Sequence, residues 1–411
     1  MKNLFYKSID GKISYTEAVS KGKYKKYIKL RFLKKSKQPR KKMILTAGPS
    51  VSSKELAYTL DAALNGWNEN NDYYLNKLSK SFSKFIGVNY AIPTSSCTGA
   101  LHIALKALGI KKGDEVIVPN ITWVATASVV EFVGAKPIFA DVNLDDWNIS
   151  PEEIKKLITK RTKAIIVVHL YGHPAKMNAI SSIAKKYNLK IVEDAAPAIG
   201  AEYMKKKCGS FGDFSAFSFQ GAKLVVSGEG GILLTDNYNL YKKAKKISDF
   251  GRKKAKTFWI NGPGLKYKMS NLQAAFLLGQ LERIKELIKN KKKIFSLYKK
   301  ELRKLIGKKI FLNEEIKNCK SIYMVTCLRI INFKNIKIKN LMIFLKKNKI
   351  DTRLIFPAIS TYPIWSKKWK TTKNANILEK SVINLPSGVN LSIKEIQYIC
   401  SKIKEFFKKY D

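Results

Sequence analysis

Of the seventy lysines in this 411-residue chain, Lys223 has the most unusual surroundings. Phe217-Ser218-Phe219-Gln220-Gly221-Ala222 leads into it, and Ser227-Gly228-Glu229-Gly230-Gly231 follows shortly after. An apolar strand and a glycine-rich turn thus surround an amine with small or apolar neighbours. A desolvated amine has a lowered pKa and can act as a Schiff-base nucleophile. A second stretch, Ile191-Val192-Glu193-Asp194-Ala195-Ala196-Pro197, is an apolar strand that ends in two acids. Carboxylates at the carboxyl end of a parallel strand sit where α/β sheets bind ligands, so Asp194 is placed to hold a protonated ring nitrogen. In a third stretch, Thr94-Ser95-Ser96-Cys97-Thr98-Gly99, small and hydroxylated residues open a helix. Free N–H groups there, with the helix dipole, make an anion site. A fourth, Ile121-Thr122-Trp123-Val124-Ala125, follows Pro119-Asn120 after a strand and offers a flat aromatic face at the same sheet edge.

Each stretch alone has a plain structural reading: an N-cap, a structural carboxylate, a core tryptophan, one more surface lysine. Together they supply an anion cradle, an aromatic face, a carboxylate for a pyridinium and a reactive lysine. That set matches pyridoxal 5′-phosphate, which is bound through a lysine Schiff base and an acidic partner for its ring nitrogen.

The elements that must position these groups alternate along the chain. Helical spacing covers 53–64, 78–86, 98–108, 122–133, 150–157 and 177–187. Short apolar strands cover 90–93, 115–118, 136–140, 164–168, 190–192, 215–219 and 231–235. Strands alternating with helices argue for an α/β fold with a mainly parallel sheet. A long helix is expected over 271–295, and the clearest strand after it over 321–331. Three regions result: a basic N-terminal extension over 1–42, a large cofactor-binding domain over 43–285 and a small α+β domain over 286–411.

At this point the chain resembles the sugar aminotransferases of the DegT/DnrJ/EryC1/StrS family, from about residue 44 to its end. The later stretches Asp351-Thr352-Arg353-Leu354-Ile355-Phe356-Pro357-Ala358 and Ile383-Asn384-Leu385-Pro386-Ser387 look most similar to its perosamine synthase-like branch. The resemblance implies a fold-type I PLP-dependent transferase: a mixed, mostly parallel sheet with helices on both faces and a smaller C-terminal domain. It puts the Schiff-base lysine on Lys223, phosphate contacts on Ser218, Cys97 and Thr98, the stacking aromatic on Trp123 and the pyridinium partner on Asp194. Cys97 stands where the family has Gly, and a backbone N–H survives that change. Pro197 stands where the family often has Gln, His or Glu near the ring. In Gly264-Leu265-Lys266-Tyr267-Lys268-Met269, Lys266 replaces an Asn that reaches the partner subunit's cofactor phosphate, a role a lysine suits as a point charge. Arg353 is a candidate contact to nucleotide or sugar. The implied reaction transfers an amino group from glutamate to a nucleotide-linked keto sugar, GDP-4-keto-6-deoxymannose first, in surface polysaccharide synthesis. A dTDP- or UDP-linked acceptor, or a non-catalytic relative of the same fold, is the alternative. The family also implies a homodimer with its active site at the subunit interface.

Composition bounds the rest. Lys and Arg number 78 against 31 Asp and Glu, a formal charge of +47. Only eight of the basic residues are Arg, the side chain that bidentate phosphate and base recognition favours. The excess therefore reads as solvated lysine faces, with no dedicated nucleic-acid site. The extension over 1–42 holds fifteen basic and two acidic residues. No apolar run approaches the roughly 18–20 residues needed to span a bilayer, so no membrane insertion is expected. Five scattered cysteines without C-x-x-C spacing fit neither a disulfide framework nor a zinc site, and a reduced cytoplasmic setting follows.

Overall fold

The computed structural model describes residues 43–252, 259–331, 336–365, 369 and 371–409. The basic extension over 1–42 lies outside the described residues.

A seven-stranded sheet forms the frame. Its strands are β1 (Tyr90–Thr94), β2 (Glu115–Pro119), β3 (Lys136–Ala140), β4 (Thr162–Val168), β5 (Lys190–Asp194), β6 (Phe214–Ser218) and β7 (Gly231–Thr235), in the order β1-β7-β6-β5-β4-β2-β3. β7 runs antiparallel to both of its neighbours, and the other neighbouring pairs are parallel. Thr94 and Ser218 both pair with Gly231, and Asp194 pairs with Val168 and Ala216. One edge of the sheet thus collects the ends of β1, β5 and β6 together with the start of β7.

Both faces of the sheet are covered, which explains why its inner strands read as continuous apolar runs. Alternate residues Val116, Val118, Ile166 and Val192 pack with α3 (Cys97–Ala107) and α4 (Ala125–Phe132) on one face. Ile117, Ile165, Val167 and Ile191 pack with α5 (Pro151–Leu157) and α6 (Met177–Lys186) on the other. α1 (Ser53–Asn65) and α2 (Tyr73–Ile86) precede the sheet in the chain, and α7 (Tyr238–Ser248) follows it.

Three expectations need correction. The helix expected from 122 begins only at Ala125. Asn120 bonds to both Ala140 and Ile359, and Ile121 bridges to Ala358, so the chain is tied to other segments up to Ile121 and bends at Thr122 before the helix starts. The helix expected over 271–295 is two, α8 (Asn271–Glu282) and α9 (Ile284–Leu302). At the break the Arg283 amide reaches back three residues to Gln280, while its guanidinium is drawn to the buried Glu55 at 2.8 Å. The strand expected over 321–331 is confined to Cys327–Ile330. Its first half is taken up by the large unit instead, since the amides of Ile322 and Met324 donate to Gly172 and Tyr171.

A second, antiparallel sheet holds β8 (Ile310–Leu312), β9 (Cys327–Ile330), β10 (Arg353–Leu354) and β11 (Val382–Asn384) in the order β8-β9-β11-β10. α10 (Ile338–Lys347) and α12 (Ile393–Lys408) share its core, and α11 (Lys373–Ser381) leads into β11. α9 joins the two cores: Ile284 and Leu287 belong to the first, and Ile294, Tyr298 and Leu302 to the second. Between them, the buried Lys291 donates to the carbonyls of Met324 and Ser387. The first described residues also pack on the second unit, with Ile44 paired to Ile350 and Thr46 bonded to Asp351. Among the described residues, no helix is long and apolar enough to cross a membrane.

Candidate active site

Four of the groups singled out in the sequence converge on the shared sheet edge. Asp194 ends β5 and is buried. Its Oδ2 accepts from the Thr126 hydroxyl at 2.7 Å, and its Oδ1 accepts from the Ala196 amide at 3.2 Å and faces the Cys97 thiol at 3.9 Å. Two consecutive acids on a strand point to opposite faces. Glu193 accordingly turns away and is held by buried groups of its own.

The helix that opens the anion cradle is α3. Ser96 caps it by accepting from the Gly99 amide at 3.0 Å. The amides of Cys97 and Thr98 have no acceptor among the described residues. Gly231 lets this turn lie against β7: a Cβ there would sit 2.4 Å from the Ser96 carbonyl carbon and 2.5 Å from the Cys97 nitrogen. On its outer side the turn is held by Tyr267, whose carbonyl accepts from the Ser95 amide at 2.6 Å.

Lys223 lies on the loop between β6 and β7. The loop is closed by Phe219 to Gly230, Ser227 to Phe219 and Gly221 to Gly228 backbone bonds. Its amine has neither a hydrogen-bond nor an ion-pair partner among the described residues. Enclosure is the largest influence on this amine and lowers its pKa, while the nearby Asp194 and Cys97 pull in the other direction. Burial and the charge of Asp194 push the Cys97 thiol well above its ordinary value, so it stays protonated. Ser218, at the end of β6, is partly exposed and accepts from the Gln220 amide at 3.4 Å.

Trp123 is 59% exposed, an unusual state for a tryptophan in a structured turn. Its ring meets Phe356 at 6.0 Å, and Phe356 stacks on Tyr171 at 5.7 Å and 15°. The Asn384 amide donates to the Tyr171 hydroxyl at 3.1 Å. The second unit therefore supplies the support behind the aromatic face.

Two expected site residues are not gathered here. Lys266 is exposed and lies over the Phe250 ring at 5.5 Å. Arg353 is exposed on β10, and its guanidinium has a loose contact to Asp351 at 3.9 Å. Conversely, Thr126, Phe356 and Tyr171 were not anticipated as parts of the site. Thr126 carried one signal, its place one helical turn after Thr122 and three residues after Trp123.

These groups fit pyridoxal phosphate: unpartnered amides for an anion, an aromatic face left open, a buried carboxylate and an unpaired amine of lowered pKa. With the sheet order and its single reversed strand, they define a fold-type I transferase. The chain belongs to the DegT/DnrJ/EryC1/StrS aminotransferase family, whose family model matches residues 49–404. It is 37% identical over 360 residues to the GDP-perosamine synthase of Escherichia coli O157:H7, covering 87% of this chain and 97% of that protein. To the GDP-perosamine synthase of Vibrio cholerae it is 34% identical over 367 residues, covering 89% and 99%. A crystal structure of a DegT DnrJ EryC1 StrS aminotransferase from Brucella abortus superposes with a TM-score of 0.79 at 26% identity, covering 86% of this chain and 95% of that one.

Proposed function

We propose that this aminotransferase moves an amino group from glutamate to a nucleotide-linked 4-keto-6-deoxyhexose, with GDP-4-keto-6-deoxymannose as the acceptor to try first. The product would serve surface polysaccharide or lipopolysaccharide synthesis. The observation that carries the reading is the unpaired, desolvated Lys223 amine under the influence of Asp194 and Cys97 at the edge of the sheet. The acceptor is suggested by the two GDP-perosamine synthases to which the chain is similar.

Pyridoxal phosphate, when bound, supplies the electron sink that such a transfer needs. The chain's own residues do the rest. The amides of Cys97 and Thr98, with the hydroxyls of Thr98 and Ser218, would bind its phosphate at the helix N-terminus. Trp123 would cover one face of the ring. The buried Asp194 would hold the proton on the ring nitrogen. Lys223 would hold the cofactor covalently. Its Nζ would also take a proton from the substrate carbon and return it, as general base and acid. The lowered pKa suits this work, because more of the amine is neutral at a given pH. Lys266 would reach the cofactor phosphate of a second subunit in a homodimer, and Arg353 would meet the nucleotide or sugar.

The test is a glutamate-dependent amination assay over GDP-, dTDP- and UDP-linked keto sugars. The GDP-linked 4-keto-6-deoxy sugar should be the best acceptor, and Lys223→Ala should lose both activity and the visible absorption of the lysine-bound cofactor. A wild-type protein that stays colourless after incubation with pyridoxal phosphate would overturn the reading.

A further inference from the structure

We infer that Thr126 is a positioning residue for Asp194, and that Thr122 and Thr126 form a proton-donating chain which keeps the Asp194 carboxylate an acceptor toward the cofactor ring. The inference rests on the cofactor reading above and adds a specific device to it.

Thr126 is fully buried and sits in the first turn of α4. Threonine hydroxyls in helices commonly return to a backbone carbonyl a turn earlier. This one instead crosses to β5 and meets Asp194 Oδ2 at 2.7 Å. The next oxygen behind it is Thr122 Oγ1, at 3.3 Å and also buried. Chemistry fixes the direction of this chain. An ionised carboxylate has no hydrogen to give, so Thr126 donates to Asp194. A hydroxyl has one hydrogen, so Thr126 must then accept from Thr122. The second carboxylate oxygen is held by the Ala196 amide and faces the Cys97 thiol.

Asp194 is thus gripped from the helix turn, from its own loop and from α3. The other titratable groups bearing on this pocket are Cys97 and Lys223. Donors on both oxygens fix the plane of the carboxylate and leave it an acceptor. A carboxylate so held leaves the shared proton on the ring nitrogen. Without Thr126, Oδ2 is free to rotate and to take that proton itself.

The test uses the full-length holoenzyme loaded with ring-15N pyridoxal phosphate. In Thr126→Val, which keeps the shape and removes the hydroxyl, the ring-nitrogen resonance should move toward that of neutral pyridine. Cofactor affinity should fall about tenfold, the worth of one hydrogen bond to a charged group. Thr126→Ser should restore both, which a purely packing role would not predict. Thr122→Val should shift the resonance in the same direction by less, and it serves if the first variant does not fold. A Thr126→Val protein with wild-type nitrogen shift and affinity would overturn the inference while leaving the cofactor reading intact. Wild-type protein that takes up no cofactor would overturn both.

Discussion

His169 Nε2 lies 2.9 Å from Glu193 Oε2, both side chains fully buried, one residue before the site carboxylate Asp194. The other ring nitrogen accepts from the Ala175 amide at 3.0 Å, so Nε2 carries the hydrogen and donates. Glu193 also accepts from the amides of Gly209, Phe211 and Gly212. Two adjacent acids therefore divide their labour, one anchoring the fold and the other facing the ligand.

Substituting them should separate these roles. Glu193→Gln places an NH2 group against donors and should destabilise the protein by about 3 kcal/mol. Its folded fraction should still take up the cofactor. Asp194→Asn should cost less stability, because the Thr126 hydroxyl can turn to accept from the new NH2, and it should abolish amination. Denaturant unfolding and the amination assay, run on both variants, check this.

Lys291 predicts a pH dependence of stability. Burial pushes its amine down from 10.5 to about 7. The two hydrogens of a neutral amine suffice for the Met324 and Ser387 carbonyls. Between about 7 and 10.5 the unfolded chain binds the extra proton, so the contribution is full above that window and lost on descending through it. Wild type should gain on Lys291→Met by up to about 1.4 kcal/mol per pH unit as pH rises. Urea midpoints of both proteins at neutral and mildly alkaline pH measure it, and parallel curves would refute it.

Trp123→Ala should act on the ligand alone. The ring is largely exposed and its aromatic neighbour is Phe356, so unfolding free energy should move by no more than about 0.5 kcal/mol. Loss of a stacked ring should weaken cofactor binding by about three- to tenfold. Equilibrium dialysis beside a thermal melt distinguishes the two effects.

Gly231→Ala tests the cradle. The added methyl would meet the Ser96–Cys97 peptide, which is backbone and cannot swing aside. Destabilisation of about 1–3 kcal/mol is expected, as for overpacking elsewhere. Cofactor affinity should fall with it, because the displaced peptide carries the phosphate-facing amides.

The sequence made the frame legible because the inner strands are covered on both faces. Strand 231–235, inside the sheet and buried at every position, matches its expected bounds to the residue. Lys223, Asp194, Cys97 and Trp123 announced themselves through local context, and the sheet brings their elements to one edge. What local pattern could not show was contact between distant segments. Ile121 is pinned by Ala358, and Phe356 stands behind Trp123, each more than two hundred positions away. The same blindness cut the strand expected over 321–331, since Tyr171 and Gly172 claim its first half. Lys266 and Arg353 rested on resemblance alone, and their described contacts are with Phe250 and Asp351.

The reversal of β7 has a further consequence. Because Ser218 and Gly231 are ladder partners, the segment that carries Lys223 leaves the sheet and re-enters it at neighbouring positions. Closing so short a loop costs little entropy, and most of that cost is met by strand pairing that exists anyway. Residues 219–230 nevertheless belong to the frame as well as to the site, because Phe219, Leu224 and Val225 are buried in the first core. A loop grafted between the same two ends must therefore keep those apolar side chains in place, whatever else it changes around Lys223.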